Sequence, residues 1–395
     1  PAARDRLVKS RLQLLARMKR VSQAIEERHQ YLETLREEKD SMPESSSLQN
    51  ILAGTALQQG AALRAAGDLD TAINVYDQAI AARRHLLKQD PENTQRILNL
   101  IVVLEPRGEI EREQKRYDVA KTTFMEMLAL NRRHLTLQPD NASAQRNLTV
   151  TLIELGETAE QAGALDEARD WFQQSFDQID ATYRLYPLAS NVGATWDLAI
   201  GNLARILGKL EEKEAIVALR EAGIESTKHV LSNHPGAGTE LNRYAGVVEN
   251  LVAALETADR QAEALERAGA ARETLDVLAD RASLTYTGAR NKLINARLQL
   301  LARMERVAQG IEERSDYLAL LRHEIEEPSD RPAPRSTFTE VAKAQAAAYW
   351  RIHDYDLAFL LYDEILRMQD RMDEAQSDSI LALLSAHKRH ETRYR

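Results

Sequence analysis

From residue 2 to residue 41 the chain runs without proline or glycine. Its apolar residues recur there at the three-to-four spacing of a helix, as Leu12, Leu15 and Ala16 and then Val21, Ile25, Leu32 and Leu35. That pattern predicts one or two helices, with a helix-helix turn near Met18 to Arg20. Beyond Ser41 the punctuation becomes regular. Prolines stand at 43, 91, 139, 187 and 235, each 48 residues after the last. Glycines at 60, 108 and 156 lie 12 residues before Ala72, Ala120 and Ala168, and Tyr76, Phe124 and Phe172 follow those alanines by four. A fixed period of this kind marks a repeat array. Three regular repeats are predicted at 43–90, 91–138 and 139–186, with turns at Ala66-Gly67-Asp68, Gln114-Lys115-Arg116 and Ala162-Gly163-Ala164. Where glycine occurs in these turns it supplies a positive φ.

Glycine, then alanine at +12, then an aromatic at +4 resembles the tetratricopeptide repeat (TPR), in which each helix of a pair packs a small residue against the other. The resemblance implies an all-α fold, a right-handed superhelical α-solenoid of about eight TPR-like helix pairs. An ordinary repeat of this family has about 34 residues, which leaves roughly 14 to place in the 48-residue period. Proline to the next glycine is seven residues longer than the family pattern implies, and alanine to the next proline is also seven longer. Seven residues is about two helical turns, or roughly 10 Å of rise. Both helices are therefore expected to be elongated at one edge, their faces staying nearly in phase.

The remaining chain divides on the same anchors. Residues 1–42 read as a divergent N-terminal helical repeat and 43–282 as five 48-residue repeats. Residues 283–328 read as a repeat duplicating the N-terminal segment, 329–376 as the last repeat, and 377–395 as a C-terminal capping helix with a basic end. In the repeat from 187 to 234, Ala204 replaces the glycine and Ile216 the alanine, and the turn within GKLEEKEA (208–215) reads as slipped. The glycine-rich junction His234 to Gly238 reads as the edge of a divergent repeat, with a hinge as the alternative. The register recovers at Ala264 and continues as Gly310 and Ala358. Pro328 to Thr337 is the most loop-like stretch.

Residues 297–324 return the segment 11–38 with 20 of 28 positions identical. Core packing accounts for the apolar half of that match. The polar half, which includes Arg11, Gln13, Arg17 and Arg28 with Arg297, Gln299, Arg303 and Arg314, suggests one binding surface presented twice, gripping carboxylates on an acidic partner. Recent duplication without drift is the competing explanation.

Composition narrows the field. Sparse glycine and proline with 44% hydrophobic, 29% charged and 5% aromatic residues suit long helices packed through small aliphatic contacts, and strands are not expected. The chain has no cysteine, which removes disulfides, thiolate metal sites and a cysteine nucleophile and fits a reducing, cytoplasmic setting. No apolar run approaches the roughly 20 residues of a membrane span. The opening PAARDRLVKS lacks an apolar h-region and reads as an internal start, with an upstream domain left open.

Nothing in the sequence converges on catalysis. HExxH, GxSxG and GxxxxGK[ST] are all missing. Adjacent acids such as Glu211 and Glu212 diverge by about 100° on a helix and cannot share a proton or a metal. No enzyme activity, cofactor or metal is expected. The leading expectation is a non-catalytic interaction scaffold for a protein or peptide. Nucleic-acid binding through the basic N-terminal helix is the alternative, disfavoured by a net charge of −9 and by the lack of interleaved aromatics.

In the TPR family the first helix of each pair lines a groove at −3, +1, +4 and +5 from the glycine. By that resemblance the lining residues include Leu57, Ala61, Arg64 and Ala65, then Glu105, Glu109, Arg112 and Glu113, then Ile153, Glu157, Glu160 and Gln161. The 48-residue step adds Gly201, Arg205, Gly208 and Lys209, then Glu249, Ala253, Glu256 and Thr257. The middle of the groove is therefore expected to be acidic and to take a basic segment, and the ends to be basic. Long-period arrays are similar to those of multidomain bacterial proteins that carry effectors such as caspase-like proteases. That likeness suggests a sensor, substrate or inhibitor arm of a defence or signalling system.

Overall fold

The computed structural model describes residues 2–234, 238–282, 287–326 and 335–368. Residues 235–237 of the glycine-rich junction, most of the 328–337 stretch and the 377–395 cap lie outside them. Among the described residues there are sixteen α-helices and no strand. They form eight successive pairs: α1 (Ala2–Arg17) with α2 (Val21–Ser41), α3 (Ser46–Ala65) with α4 (Leu69–Gln89), α5 (Thr94–Glu113) with α6 (Tyr117–Leu137), and α7 (Ala142–Gln161) with α8 (Leu165–Leu185). They continue as α9 (Val192–Lys209) with α10 (Lys213–Asn233), α11 (Gly238–Thr257) with α12 (Gln261–Ala282), α13 (Thr287–Arg303) with α14 (Val307–Glu326), and α15 (Arg335–Arg351) with α16 (Tyr355–Met368). The fold is an all-α solenoid, and its helices are long. From α3 to α8 they alternate between 20 and 21 residues.

The chain separates into two compact units, Pro1–Leu219 and Arg220–Arg395, with the boundary inside α10. In the first, each helix from α1 to α8 packs on its successor. A continuous apolar core runs through it, from Tyr31, Leu32 and Leu35 of α2 to Leu148, Leu152 and Leu155 of α7. In the second unit, α13 packs on both α11 and α12, and an apolar core joins α13 and α14 to α15 and α16.

Helix starts follow the prolines. Two residues after Pro43, Pro91 and Pro139 stand Ser45, Asn93 and Asn141. The side chains of these three accept hydrogen bonds from Leu48, Arg96 and Ala144 backbone N–H groups at 3.4, 3.1 and 3.1 Å, and so satisfy donors left open at a helix start. The turns inside pairs share one construction. The residue after the turn donates its N–H to the carbonyl five residues back, as in Asp68 to Leu63 at 3.0 Å and Arg116 to Glu111 at 2.8 Å. The residue before that donor is left-handed in every pair: Lys19, Gly67, Lys115, Gly163, Glu211, Asp259, Glu305 and His353 all have φ between 56° and 83°.

Glu211 corrects the reading of the fourth repeat. Glu212 donates to Leu207 at 3.0 Å, so the turn at 210–212 sits in register and is not slipped. The backbone keeps the period while the side-chain anchors change, because this pair fills its core differently. Trp196 is fully buried, stacks on Tyr183 at 5.0 Å and donates its indole N–H to Asp180 at 2.8 Å. Arg220 stands in sequence where Tyr76, Phe124 and Phe172 carry a ring, and with the ring gone the glycine at 204 is not needed.

Candidate interaction groove

The first helices of successive pairs, α3, α5, α7 and α9, carry the predicted lining residues of the first unit. An ion-pair ladder connects them. Arg64 on α3 reaches forward to both Glu109 and Glu113 on α5. One repeat further, Arg112 on α5 reaches Glu154 and Glu157 on α7, at 2.6 and 3.2 Å. At the third step the polarity reverses: Glu160 on α7 receives Lys209 at 2.7 Å and Arg205, both on α9. Gln161 is exposed at the end of α7, and Ile153 is buried in the core rather than lining the face. The acidic run is therefore not the unopposed field expected from the sequence. Arg64, Arg112, Arg205 and Lys209 answer most of it from neighbouring helices.

What remains is concentrated at one place. Carboxylate oxygens of Glu105, Glu109 and Glu154 lie within 4.8 Å of one another. Burial pushes the Glu154 carboxyl up to about 7, with Glu157 and Glu109 adding to that rise and Arg112 opposing it. Burial also raises Glu105, helped by Glu109 and opposed by Arg146. Glu160 goes the other way: burial pushes it up, but hydrogen bonds and charge from Lys209 and Arg205 outweigh this, and its carboxyl is held below the usual range. The cluster can hold a proton at neutral pH or receive a cationic side chain.

The duplicated segments have an intramolecular use that the sequence reading did not foresee. At a constant offset of 286 residues the same polar partners meet. Arg11 bonds Glu27 at 2.8 Å, and Arg297 bonds Glu313 at 2.6 Å. Arg28 donates to Gln59 at 3.2 Å, whose amide donates to the Ile25 carbonyl at 3.0 Å; Arg314 donates to Gln345 at 2.9 Å, whose amide donates to the Ile311 carbonyl at 2.9 Å. Arg36 to Gln78 and Arg322 to Glu364 repeat the pattern one helix pair onward. Arg28 and Arg314 are half-buried, and burial lowers both guanidinium groups. The idea of three arginines free to grip an acidic partner at each segment is therefore corrected: Arg11 and Arg297 are bonded within their own helix pair, and Arg28, Arg36, Arg314 and Arg322 tie their pair to the next.

The remaining predicted positions are split. Arg303 holds both oxygens of Glu256 at 2.7 Å, while Arg17, Gln13, Gln299 and Glu249 are exposed. Gln299 and Arg314 line an open cleft of about 510 Å³, together with Leu298 and Val341. The basic N-terminal helix carries less free charge than its composition suggests, because Arg4 pairs with Glu38, Lys9 with Asp5 at 2.7 Å and Arg11 with Glu27. Residues missed from the sequence are Glu154, which lies two before Gly156 and off the family's lining positions, and Gln59 and Gln345. The 286-residue offset, followed beyond the near-identical segments, would have found the two glutamines.

No family model matches the chain, and no curated protein matches it. Among solved structures, the crystal structure of BtubC (BKLC) from P. vanneervenii overlaps 76% of this chain and 94% of its own, with 13% identity and a TM-score of 0.35. The apo form of RapI overlaps 91% of this chain and 87% of its own, with 12% identity and a TM-score of 0.41. Overlaps this loose bear on neither partner nor activity. No described helix is long and apolar enough to cross a membrane.

Proposed function

We propose that the chain is a non-catalytic, TPR-like scaffold that binds an extended protein segment along α3, α5, α7 and α9. A lysine or arginine of that segment enters between Glu105, Glu109 and Glu154. The observation that carries this reading is the cluster itself. It gathers three carboxyls within 4.8 Å, and Glu105 makes no ion pair among the described residues. A cationic side chain placed there relieves like-charge repulsion that the fold otherwise holds in check by raising two of the three carboxyls.

The resemblance to long-period bacterial arrays extends the proposal to a sensor, substrate or inhibitor arm of a defence or signalling system, with a caspase-like protease or another effector as partner. The test is binding of a lysine-rich peptide, followed by fluorescence anisotropy at low and high salt. Glu105→Gln should weaken binding several-fold and flatten its salt dependence. Affinity should rise with pH through about 7 as Glu154 loses its proton. Binding unaffected by Glu105→Gln and by pH would show that the groove centre is not the site.

A further inference from the structure

The register of 286 residues that aligns Arg11 with Arg297 also aligns Arg4 with Arg290, Leu7 with Leu293, Leu14 with Leu300 and Arg17 with Arg303. The two helices α1 and α13 thus carry the same side chains on the same stripe. Their surroundings differ. α13 is covered by α11 and α12, and Leu293 and Leu300 are 1% and 0% exposed. Arg303 is held by both oxygens of Glu256, and Arg297 lies across Gly269, where an added Cβ would sit 2.6 Å from its Nη1, while donating to the Leu265 carbonyl at 2.9 Å. On α1 the same leucines, Leu7 and Leu14, are 73% and 58% exposed, and Arg17 is exposed without an ion pair among the described residues.

We infer that the outward face of α1 is a stacking face, completed by a helix pair built like α11–α12. The internal copy states the chemistry of that occupant. It presents an aliphatic stripe to Leu7 and Leu14, as Val248, Ala271 and Leu275 share the core with Leu293. It places a carboxylate at the end of its first helix to take Arg17, as Glu256 takes Arg303. It carries a small residue on its second helix, beside an open carbonyl, to admit Arg11 as Gly269 and Leu265 admit Arg297. Scattered exposed leucines are ordinary on any surface. What sets Leu7 and Leu14 apart is that their counterparts are fully buried in a contact whose polar members are also present on α1. This surface is independent of the groove.

The experiment is a graft within the full chain, with residues 2–41 standing in place of 288–327. The links onward to α15 and α16 are preserved, because Arg28 and Arg36 meet Gln345 and Glu364 as Arg314 and Arg322 do. The expected result is a chain whose Tm falls by no more than about 5 °C and whose α11 and α12 amides keep their protection from hydrogen exchange. Adding Leu7→Glu and Leu14→Glu to the grafted copy should abolish that protection, while the same pair at the natural position should leave the wild-type chain unchanged. A reciprocal graft, 288–327 in place of 2–41, should fold as readily and checks the junctions. Loss of α11–α12 protection in the first graft overturns the inference, whether or not the reciprocal graft folds. Self-association of the wild-type chain that Leu14→Glu abolishes in sedimentation would also overturn it, since the occupant would then be a second copy.

Discussion

Gly156 on α7 lies against the ring of Phe172 on α8, so closely that a Cβ added to the glycine would meet ring carbon Cε1 at 2.6 Å. Gly60 with Tyr76 and Gly108 with Phe124 repeat the contact. The three rings are fully buried, and each pair of helices closes on this one approach. Gly156→Ala should therefore cost roughly 1–3 kcal/mol, the range for overpacking a dense core. Combining it with Phe172→Leu should cost less than the sum of the two single changes. A double-mutant cycle by urea unfolding measures the difference.

The left-handed turn position gives a change of opposite sign. Lys115, with φ of 60°, occupies the place that Gly67 and Gly163 hold in neighbouring pairs. A side chain in that conformation costs on the order of 1 kcal/mol, and Lys115→Gly should recover a good part of it. Gly67→Ala should lose a similar amount. Thermal unfolding of the two variants should shift in opposite directions.

Glu111 is fully buried on α5, held by Arg107 at 2.6 Å and by the Thr123 hydroxyl at 2.7 Å, while Arg107 also reaches Asp77 at 2.6 Å. Arg107→Ala should cost about 3 kcal/mol or more, because it strands a buried carboxylate. Arg107→Met with Glu111→Leu should recover most of that loss. Chemical denaturation of the single and double variants would decide whether the pair is essential or replaceable.

Glu154 predicts a pH dependence with a definite sign. Its folded carboxyl titrates at about 7 against an ordinary value of 4.5, so between those limits the folded chain binds more protons than the unfolded one. Stability from this group is full below about 4.5 and is lost as pH rises through 7. Glu154→Gln should leave stability near pH 4 almost unchanged and raise it at pH 8 by something on the order of 3 kcal/mol, the opposing attraction of Arg112 being already contained in the raised carboxyl. Equal effects at both pH values would show that the carboxyl is not raised.

The sequence by itself determined the helices, the period and the turns of the three regular repeats. Proline, cap residue, glycine, alanine and ring are local signals at fixed spacing, and each is a backbone or pairwise steric requirement within one helix pair. Even the contact of Gly156 with Phe172 was legible, because 16 residues separate them and a single turn joins their helices. Tertiary structure alone decided which charges meet. Arg112 could face Glu154, Glu157 or water, and the choice depends on the rotation of α7 against α5, which apolar packing sets and no short-range spacing encodes. The same holds for Arg28 and Arg314, whose partners Gln59 and Gln345 lie a helix pair away. It holds most plainly for α1 and α13: nearly the same residues are exposed in one and buried in the other, because burial belongs to the neighbour and not to the helix.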